Sequence, residues 1–418
     1  MSRIEARYYE RTPRSAQLAT LAERLMPGGD TRAAAYFPPY PVTMARGEGP
    51  FLWDVDGNRY IDVLGNYTSL VHGNAYPPIV EAVRTWAARG TAWAARCEPA
   101  FELAALLTER IASVEQIRFT NSGTEAAMLA MQIAKLVTGR EKILMAKHGY
   151  HGSHEDTEFG LFGSEGPRTY LAEFGDAAAF ARVLAEHGAE IAGVMLEPVL
   201  GSGGIVAAPP GFLAEVAQAT RRAGALFILD EVICLRLAAG GAQALHGVSP
   251  DLTLFGKLIG GGLPVGAVGG RADLLAVTDP RQLRMFVSGT FNGNPLTMAA
   301  GTVAVRELTA ERISVMHRFA ERLRAGLAQG AAARGLPFSV NHAGSLINVF
   351  FTPTPPATRL LRDDAATMYR FHLAALNHGL FLAPRGMLAL STVIDGALVD
   401  EVIERAAAAF ADVSAEAD

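Results

Sequence analysis

Ala225-Leu226-Phe227-Ile228-Leu229-Asp230 is an uninterrupted apolar run closed by an aspartate, and 27 positions after that aspartate Phe255-Gly256-Lys257-Leu258-Ile259-Gly260-Gly261-Gly262 sets a lysine at the entrance to a glycine run. A short apolar run of this kind reads as a strand buried on both faces. A lysine amine can hold an aldehyde cofactor as a Schiff base. A buried aspartate facing the ring nitrogen of such a cofactor keeps that nitrogen protonated and makes the ring an electron sink. Each residue also has an ordinary reading: an aspartate after a strand often starts a loop or caps a helix, and most lysines are solvated surface charges. Composition favours the chemical reading for the lysine. The chain has only four, Lys135, Lys142, Lys147 and Lys257, among 37 basic residues. Arginine cannot replace an amine nucleophile, because its guanidinium does not deprotonate. Together the two residues point to pyridoxal-phosphate chemistry.

Outward from this pair, apolar runs alternate with helical-period stretches from about Ile117 to Val268. Strands are expected at 116–120, 142–145, 191–196, 226–229 and 252–255, and helices at 124–138, 177–187 and 211–223. That alternation predicts right-handed βαβ units and a mainly parallel sheet covered on both faces, an α/β three-layer sandwich. Residues 47–62 read as a β-hairpin with Asp56-Gly57-Asn58 in its turn. Helices near 299–308 and 314–333, strands at 345–351 and around Leu380 and Leu388, a helix at 365–377 and a terminal helix complete the chain. The two ends are expected to pack together as a smaller α+β domain. The expected division is 1–64 and 307–418 for the small domain and 65–306 for the large, cofactor-binding one.

With 418 residues, half of them hydrophobic, the chain can bury a large core. A net charge of -5, with no arginine or lysine block, argues against a nucleic-acid or anionic-membrane surface and leaves small polar substrates as the expectation. Cys97 and Cys234 form neither a disulfide framework nor a metal-ligand spacing, which fits a reducing cytoplasm. The charged start, Met1 to Arg11, lacks an apolar signal core, and no apolar run is long enough to span a bilayer.

Phe119-Thr120-Asn121-Ser122-Gly123-Thr124-Glu125 ends a strand and opens a helix. Ser122, Gly123 and Thr124 would offer hydroxyls and backbone N–H groups at the positive end of that helix, a phosphate site; a plain helix cap is the simpler reading. In Gly149-Tyr150-His151-Gly152 an aromatic ring could stack on a flat cofactor, or be an ordinary loop tyrosine. His148, His151 and His154 lack the partners that a metal site needs, so no metal is expected. A nucleotide-triphosphate loop is excluded by residue order, because glycine should precede the lysine and serine or threonine follow it.

Taken together, Ser122-Gly123-Thr124, Tyr150-His151-Gly152, Glu197-Pro198-Val199, Asp230-Glu231-Val232, Gly256-Lys257 and Ser288-Gly289-Thr290-Phe291-Asn292-Gly293-Asn294-Pro295 resemble, in order and spacing, the class III aminotransferases of pyridoxal-phosphate fold type I. The resemblance covers nearly the whole chain. It implies Lys257 as Schiff-base lysine and proton shuttle, Asp230 as pyridinium partner, Val232 and Tyr150 as the two faces of a ring sandwich, His151 as a further cofactor-binding residue, and Ser122, Gly123 and Thr124 as phosphate cup. It also implies that Thr290 reaches the phosphate of a neighbouring subunit, hence a homodimer.

Within that class, Pro27-Gly28-Gly29 and Gly260-Gly261-Gly262 are similar to both glutamate-1-semialdehyde aminomutases and β-amino-acid aminotransferases. Arg32 and Arg385 match the two carboxylate binders of the second group, and Arg236 fits it too; the aminomutases generally lack an arginine like Arg385. Ser202 stands where the ω-amino-acid branch has a glutamate. The expectation is therefore transamination of a β-amino acid with a keto acid, with Arg32, Arg385 and Tyr67 at the substrate. The alternatives are an aminomutase, another ω-amino-acid or amine transaminase, and a cofactor-binding regulator without catalysis.

Overall fold

In the computed structural model, which describes residues 1–282, 284–358 and 364–416, the chain divides into two compact units. One is Pro77–Ile313; the other joins Met1–Tyr76 to Ser314–Asp418. The divisions therefore fall at Tyr76 and Ser314 rather than at 64 and 307. Residues 65–76 stay with the N-terminal strands because Gly49 and Asn74 exchange backbone hydrogen bonds (2.7 Å each) and the Asn74 carboxamide donates to Asp62 (2.9 Å).

The Pro77–Ile313 unit is built on seven strands: β1 (Gln116–Thr120), β2 (Lys142–Ala146), β3 (Thr169–Ala172), β4 (Ile191–Leu196), β5 (Leu226–Asp230), β6 (Leu252–Gly256) and β7 (Gly266–Gly270). Their order across the sheet is β1-β7-β6-β5-β4-β2-β3. All pairings are parallel except those of β7, which is antiparallel to both β6 and β1. Neither β3 nor β7 is expected from the sequence pattern. Strand β7, Gly-Ala-Val-Gly-Gly, has almost no side-chain period to read. Its glycines answer to packing: a Cβ on Gly266 would lie 1.9 Å from the Ser122 carbonyl oxygen.

Successive residues of each strand face opposite sides, so an apolar run feeds two cores at once. Ile143, Met145 and Ile228 pack with Ala126, Ala130 and Ile133 of helix α1 (Gly123–Thr138). Leu144, Phe227 and Leu229 pack with Phe180, Phe212 and Val216 of helices α2 (Ala177–His187) and α3 (Phe212–Arg222) on the other face. This is the α/β, doubly covered sheet expected of pyridoxal-phosphate fold type I. Its consequence for function is that the carboxyl ends of β2, β4, β5 and β6 open on one edge, where open α/β sheets place ligands.

The second unit carries a four-stranded sheet of Met44–Glu48, Phe51–Asp54, Arg59–Asp62 and Leu380–Phe381, and a three-stranded sheet of Ser339–Ala343, Leu346–Phe350 and Met387–Ala389. The turn of the 51–62 hairpin is fixed by Asp54, whose Oδ1 accepts from the amides of Asp56 (3.0 Å) and Asn58 (2.8 Å). The chain ends meet: Leu380–Phe381 runs parallel to Arg59–Asp62, and the Asn377 carboxamide donates to the Ile4 carbonyl at 2.9 Å. Helices Ala365–Asn377 and Gly396–Ala415 bury Phe371 and Phe410, whose rings stack 4.9 Å apart.

Candidate active site

In the Pro77–Ile313 unit the expected residues come together at strand ends. Asp230 closes β5, 5% exposed. Its Oδ1 accepts from the Val232 amide at 3.0 Å, which turns the chain sharply after the strand, and its Oδ2 meets Nδ1 of the buried His151 at 2.8 Å. His151, expected among the cofactor-binding residues, is thus placed on the aspartate. Burial opposes a charge on this imidazole, but the Asp230 hydrogen bond and negative charge outweigh it and hold His151 above the usual histidine range. Nε2 of His151 is buried and has no hydrogen-bond partner among the described residues.

Glu197, which has no assigned role in the sequence reading, lies beneath this pair. It follows β4, accepts from the amides of Tyr150 (2.9 Å) and Gly201 (3.0 Å), and so pins the loop that carries Tyr150 and His151. Burial pushes its carboxyl up to about 7; the His151 charge pulls the other way. The available signal was its place in Glu-Pro directly after a six-residue buried strand.

Gly152 carries the same loop onto helix α1. Its φ is +99°, and a Cβ there would lie 2.5 Å from Thr124 Oγ1, so only glycine permits this approach. The Ser153 amide donates to the same Oγ1 at 3.3 Å. Ser122 is the N-cap of α1, its Oγ accepting from the Glu125 amide at 3.1 Å, so the simpler helix-cap reading is realised. The cap leaves the amides of Gly123 and Thr124, in the first helical turn, with no acceptor inside the helix. Hydroxyls and outward amides at the positive end of a helix make an anion seat.

Lys257 follows the last residue of β6 and opens a turn of 3₁₀ helix, half-buried, with a left-handed backbone (φ +48°) that a non-glycine residue adopts only under constraint. Val232 ties the parts together: a Cβ on Gly123 would meet its methyls at 3.5 Å, and one on Gly256, next to Lys257, at 3.3 Å. Thr290 is exposed, on a segment that Asn292 fastens to Asn121 of the helix entry at 2.7 Å. A carboxylate backed by imidazole, an amine, an apolar side chain and an anion seat match the pyridinium, aldehyde, ring face and phosphate of pyridoxal phosphate. The orphaned His151 Nε2 and the anion seat at the start of α1 fit such a group.

In the other unit Arg32, Tyr67 and Arg385 also come together. The two guanidinium carbons lie 5.2 Å and 4.8 Å from the centre of the Tyr67 ring. Arg32 Nη1 donates to Asn66 Oδ1 at 2.7 Å, and the Tyr67 hydroxyl donates to the Ala34 carbonyl. Gly65, Asn66, Tyr67 and Thr68 all have positive φ (57°, 48°, 53° and 78°). Four such residues in a row form a left-handed turn, closed by the Thr68 amide on the Leu64 carbonyl at 3.1 Å. Left-handed non-glycine residues cost about 1–2 kcal/mol each, and such strain is found at functional sites. Arg236 sits elsewhere, fully buried after Asp-Glu-Val. Among the described residues no cluster of side chains suits a metal, and no helix is long and apolar enough to cross a membrane.

Residues 33–413 match the family model for aminotransferase class-III. A glutamate-1-semialdehyde 2,1-aminomutase of Desulforudis audaxviator is 40% identical over 95% of this chain and 97% of its own length. Among solved structures, an omega-transaminase from Sphaerobacter thermophilus superposes with a TM-score of 0.91 (38% identical, 96% of this chain and 97% of that one). A beta-phenylalanine aminotransferase from Variovorax paradoxus superposes at 0.90 (35% identical, 96% and 95%). The expectation of β-amino-acid transamination is corrected by the first of these: the aminomutase is the nearer match in sequence, along almost the full length. Seats for two separate carboxylates were expected; the guanidinium groups of Arg32 and Arg385 both stand over the Tyr67 ring.

Proposed function

From the premise that this chain belongs to the class III aminotransferases, enzymes that use pyridoxal phosphate, we propose that it is a glutamate-1-semialdehyde-type 2,1-aminomutase. It moves an amine from C2 to C1 of one molecule and converts the C1 aldehyde and C2 amine into a C1 amine and C2 ketone, with no change in composition. The observation that carries this reading is the 40% identity over 95% of the chain to the named aminomutase.

Pyridoxal phosphate, when bound, supplies an electron sink for the pair left when an amine-bearing carbon loses its proton. The chain's own residues do the rest. Lys257 would hold the cofactor through Nζ, and with that amine free it would move protons at C2 and C1 of the substrate. Asp230, oriented by the Val232 amide and by His151, keeps a negative charge against the ring nitrogen; Val232 and Tyr150 bracket the ring. Gly123 and Thr124 amides, with the Ser122 and Thr124 hydroxyls, hold the phosphate. Arg32, supported by Asn66 and Tyr67, takes the substrate carboxylate, and Arg385 places a second positive charge beside the Tyr67 ring.

The working form in this reading is a homodimer in which Thr290 reaches its neighbour's phosphate. Trp93, Phe101, Phe286 and Phe291, all in the Pro77–Ile313 unit, are 41% to 84% exposed and are side chains that such an interface would cover. Both cysteines are buried and unpaired, in keeping with a reducing cytoplasm.

Incubation of the holoenzyme with glutamate-1-semialdehyde as sole substrate tests the reading. It should give 5-amino-4-oxopentanoate, one molecule per substrate consumed. Consumption only when a keto acid is added would overturn it in favour of a transaminase.

A further inference from the structure

The unit formed by the chain ends contains a cavity of ≈ 250 Å³ that opens beside Arg32, Asn66 and Tyr67. Its walls are mainly apolar: Phe37, Leu52, Leu64, Phe381 and Leu382. This volume exceeds the roughly 150 Å³ that accommodates a benzene ring and falls below the ~300–1,000 Å³ of larger ligand sites. It suits one ring with a short arm.

Three buried polar side chains also face it, and they differ in kind. Asp62 is spoken for: Oδ1 accepts from the amides of Leu64 (3.0 Å) and Gly65 (2.8 Å), and Oδ2 from the Asn74 carboxamide (2.9 Å). Asn74 is committed by the same bond. His372 is 1% exposed, its ring against that of Phe37 at 4.4 Å, and neither ring nitrogen has a hydrogen-bond partner among the described residues. Burial alone pushes this imidazole down to about 3, so it is neutral at physiological pH and carries one donor and one acceptor. Leaving both unmet inside the protein is costly, so a ligand that answers one of them gains by it.

A cationic lip, an apolar chamber and one neutral donor-acceptor group inside it define a complementary molecule. We propose that this cavity is a binding site for a small aryl carboxylate, its carboxylate on Arg32 and its ring inside, with a ring hydroxyl answering His372. Arg32 presents five N–H groups, of which Asn66 takes one. The buried Asp62 carboxylate repels a second anion, which sets the polarity of entry: carboxylate outward, ring inward. The inference rests on the reading of Arg32 as a carboxylate binder, so the ligand competes with the substrate for that residue and acts as an inhibitor.

Calorimetric titration of the holoenzyme with 4-hydroxyphenylacetate and with phenylacetate tests it. Both should bind, the hydroxylated compound about 3- to 10-fold more tightly, the worth of one neutral hydrogen bond. In His372→Leu that advantage should shrink below about twofold. Filling the chamber with Leu52→Trp, or with Met44→Trp from its half-buried edge should the first variant not fold, should weaken both compounds at least tenfold while turnover of glutamate-1-semialdehyde persists. No binding of either compound to the wild type, or unchanged binding in a folded chamber-filling variant, would overturn the site. So would a hydroxyl advantage that survives His372→Leu. Binding without any aminomutase turnover would instead sink the functional reading and leave the site standing.

Discussion

The edge of the seven-stranded sheet and the left-handed turn at 65–68 carry the two halves of the proposed chemistry, and they are made in opposite ways. At the sheet edge Asp230, Glu197 and Lys257 directly follow or end buried strands, and each carboxylate is held by backbone amides. The scaffold itself fixes them. At the turn, Asn66 and Arg32 are exposed, three non-glycine residues hold positive φ, and the guanidinium of Arg32 meets another side chain and a ring. Cofactor chemistry is therefore tied to the fold, while in the proposed reading substrate choice hangs on a strained surface feature that can change without disturbing it. That is why the cofactor followed from residue order and the substrate did not.

Replacing Lys257 by alanine strikes the scaffold half and should have the largest effect. Turnover should fall by at least about 10³-fold and the cofactor's absorbance band should shift away from that of the lysine-bound form. Retention of both in a folded variant would remove Lys257 from the chemistry. Asp230→Asn should follow, with a loss of about 10²–10³ in kcat and little change in KM, because it removes a charge that acts on the reacting ring. A KM effect alone would mean that Asp230 only binds.

Arg32→Ala strikes the other half and should reverse the pattern: KM raised about 10- to 100-fold with kcat nearly kept, as expected when one charge-assisted hydrogen-bonding group is lost. Tyr67→Ala and Tyr67→Gly sharpen the comparison further. Both remove the ring and should raise KM alike, but glycine accepts a φ of +53° without strain, so its variant should be more stable by about 1 kcal/mol in chemical denaturation. Equal stability would mean that the turn relaxes when the ring is gone.

The scaffold half also predicts a dependence on pH. Burial pushes the Glu231 carboxyl up to about 7, although the amides of Ala242 and Gln243 and the Gln243 side chain oppose this. The folded protein thus binds a proton that the unfolded chain, with a carboxyl near 4.5, releases first. Stability from this group is full below about 4.5 and is lost as pH rises towards 7, on the order of 3 kcal/mol in all. Denaturation midpoints of Glu231→Gln should vary less across that window than those of the wild type.

Legibility followed the same divide. The strand ending in Asp230, the helix opened by Ser122 and the 51–62 hairpin could be read because side-chain alternation, a capping serine and an Asp-Gly-Asn turn each act locally. Strand β7 could not, since three of its five residues are glycines chosen by contacts such as that of Gly266 with Ser122. Nor could the 65–68 turn, where Gly65 and Asn66 tolerate a left-handed backbone but Tyr67 and Thr68 carry no local preference for one. The arginines were visible, but that they share one tyrosine ring is a tertiary fact.

The central claim, amino transfer within one molecule, is tested most directly by comparing kcat/KM of the same holoenzyme preparation for glutamate-1-semialdehyde alone and for an ω-amine paired with pyruvate. The account predicts at least about a hundredfold preference for the single substrate and no acceleration when pyruvate is added. Faster turnover of the amine–pyruvate pair, or a semialdehyde reaction that depends on the keto acid, would contradict it.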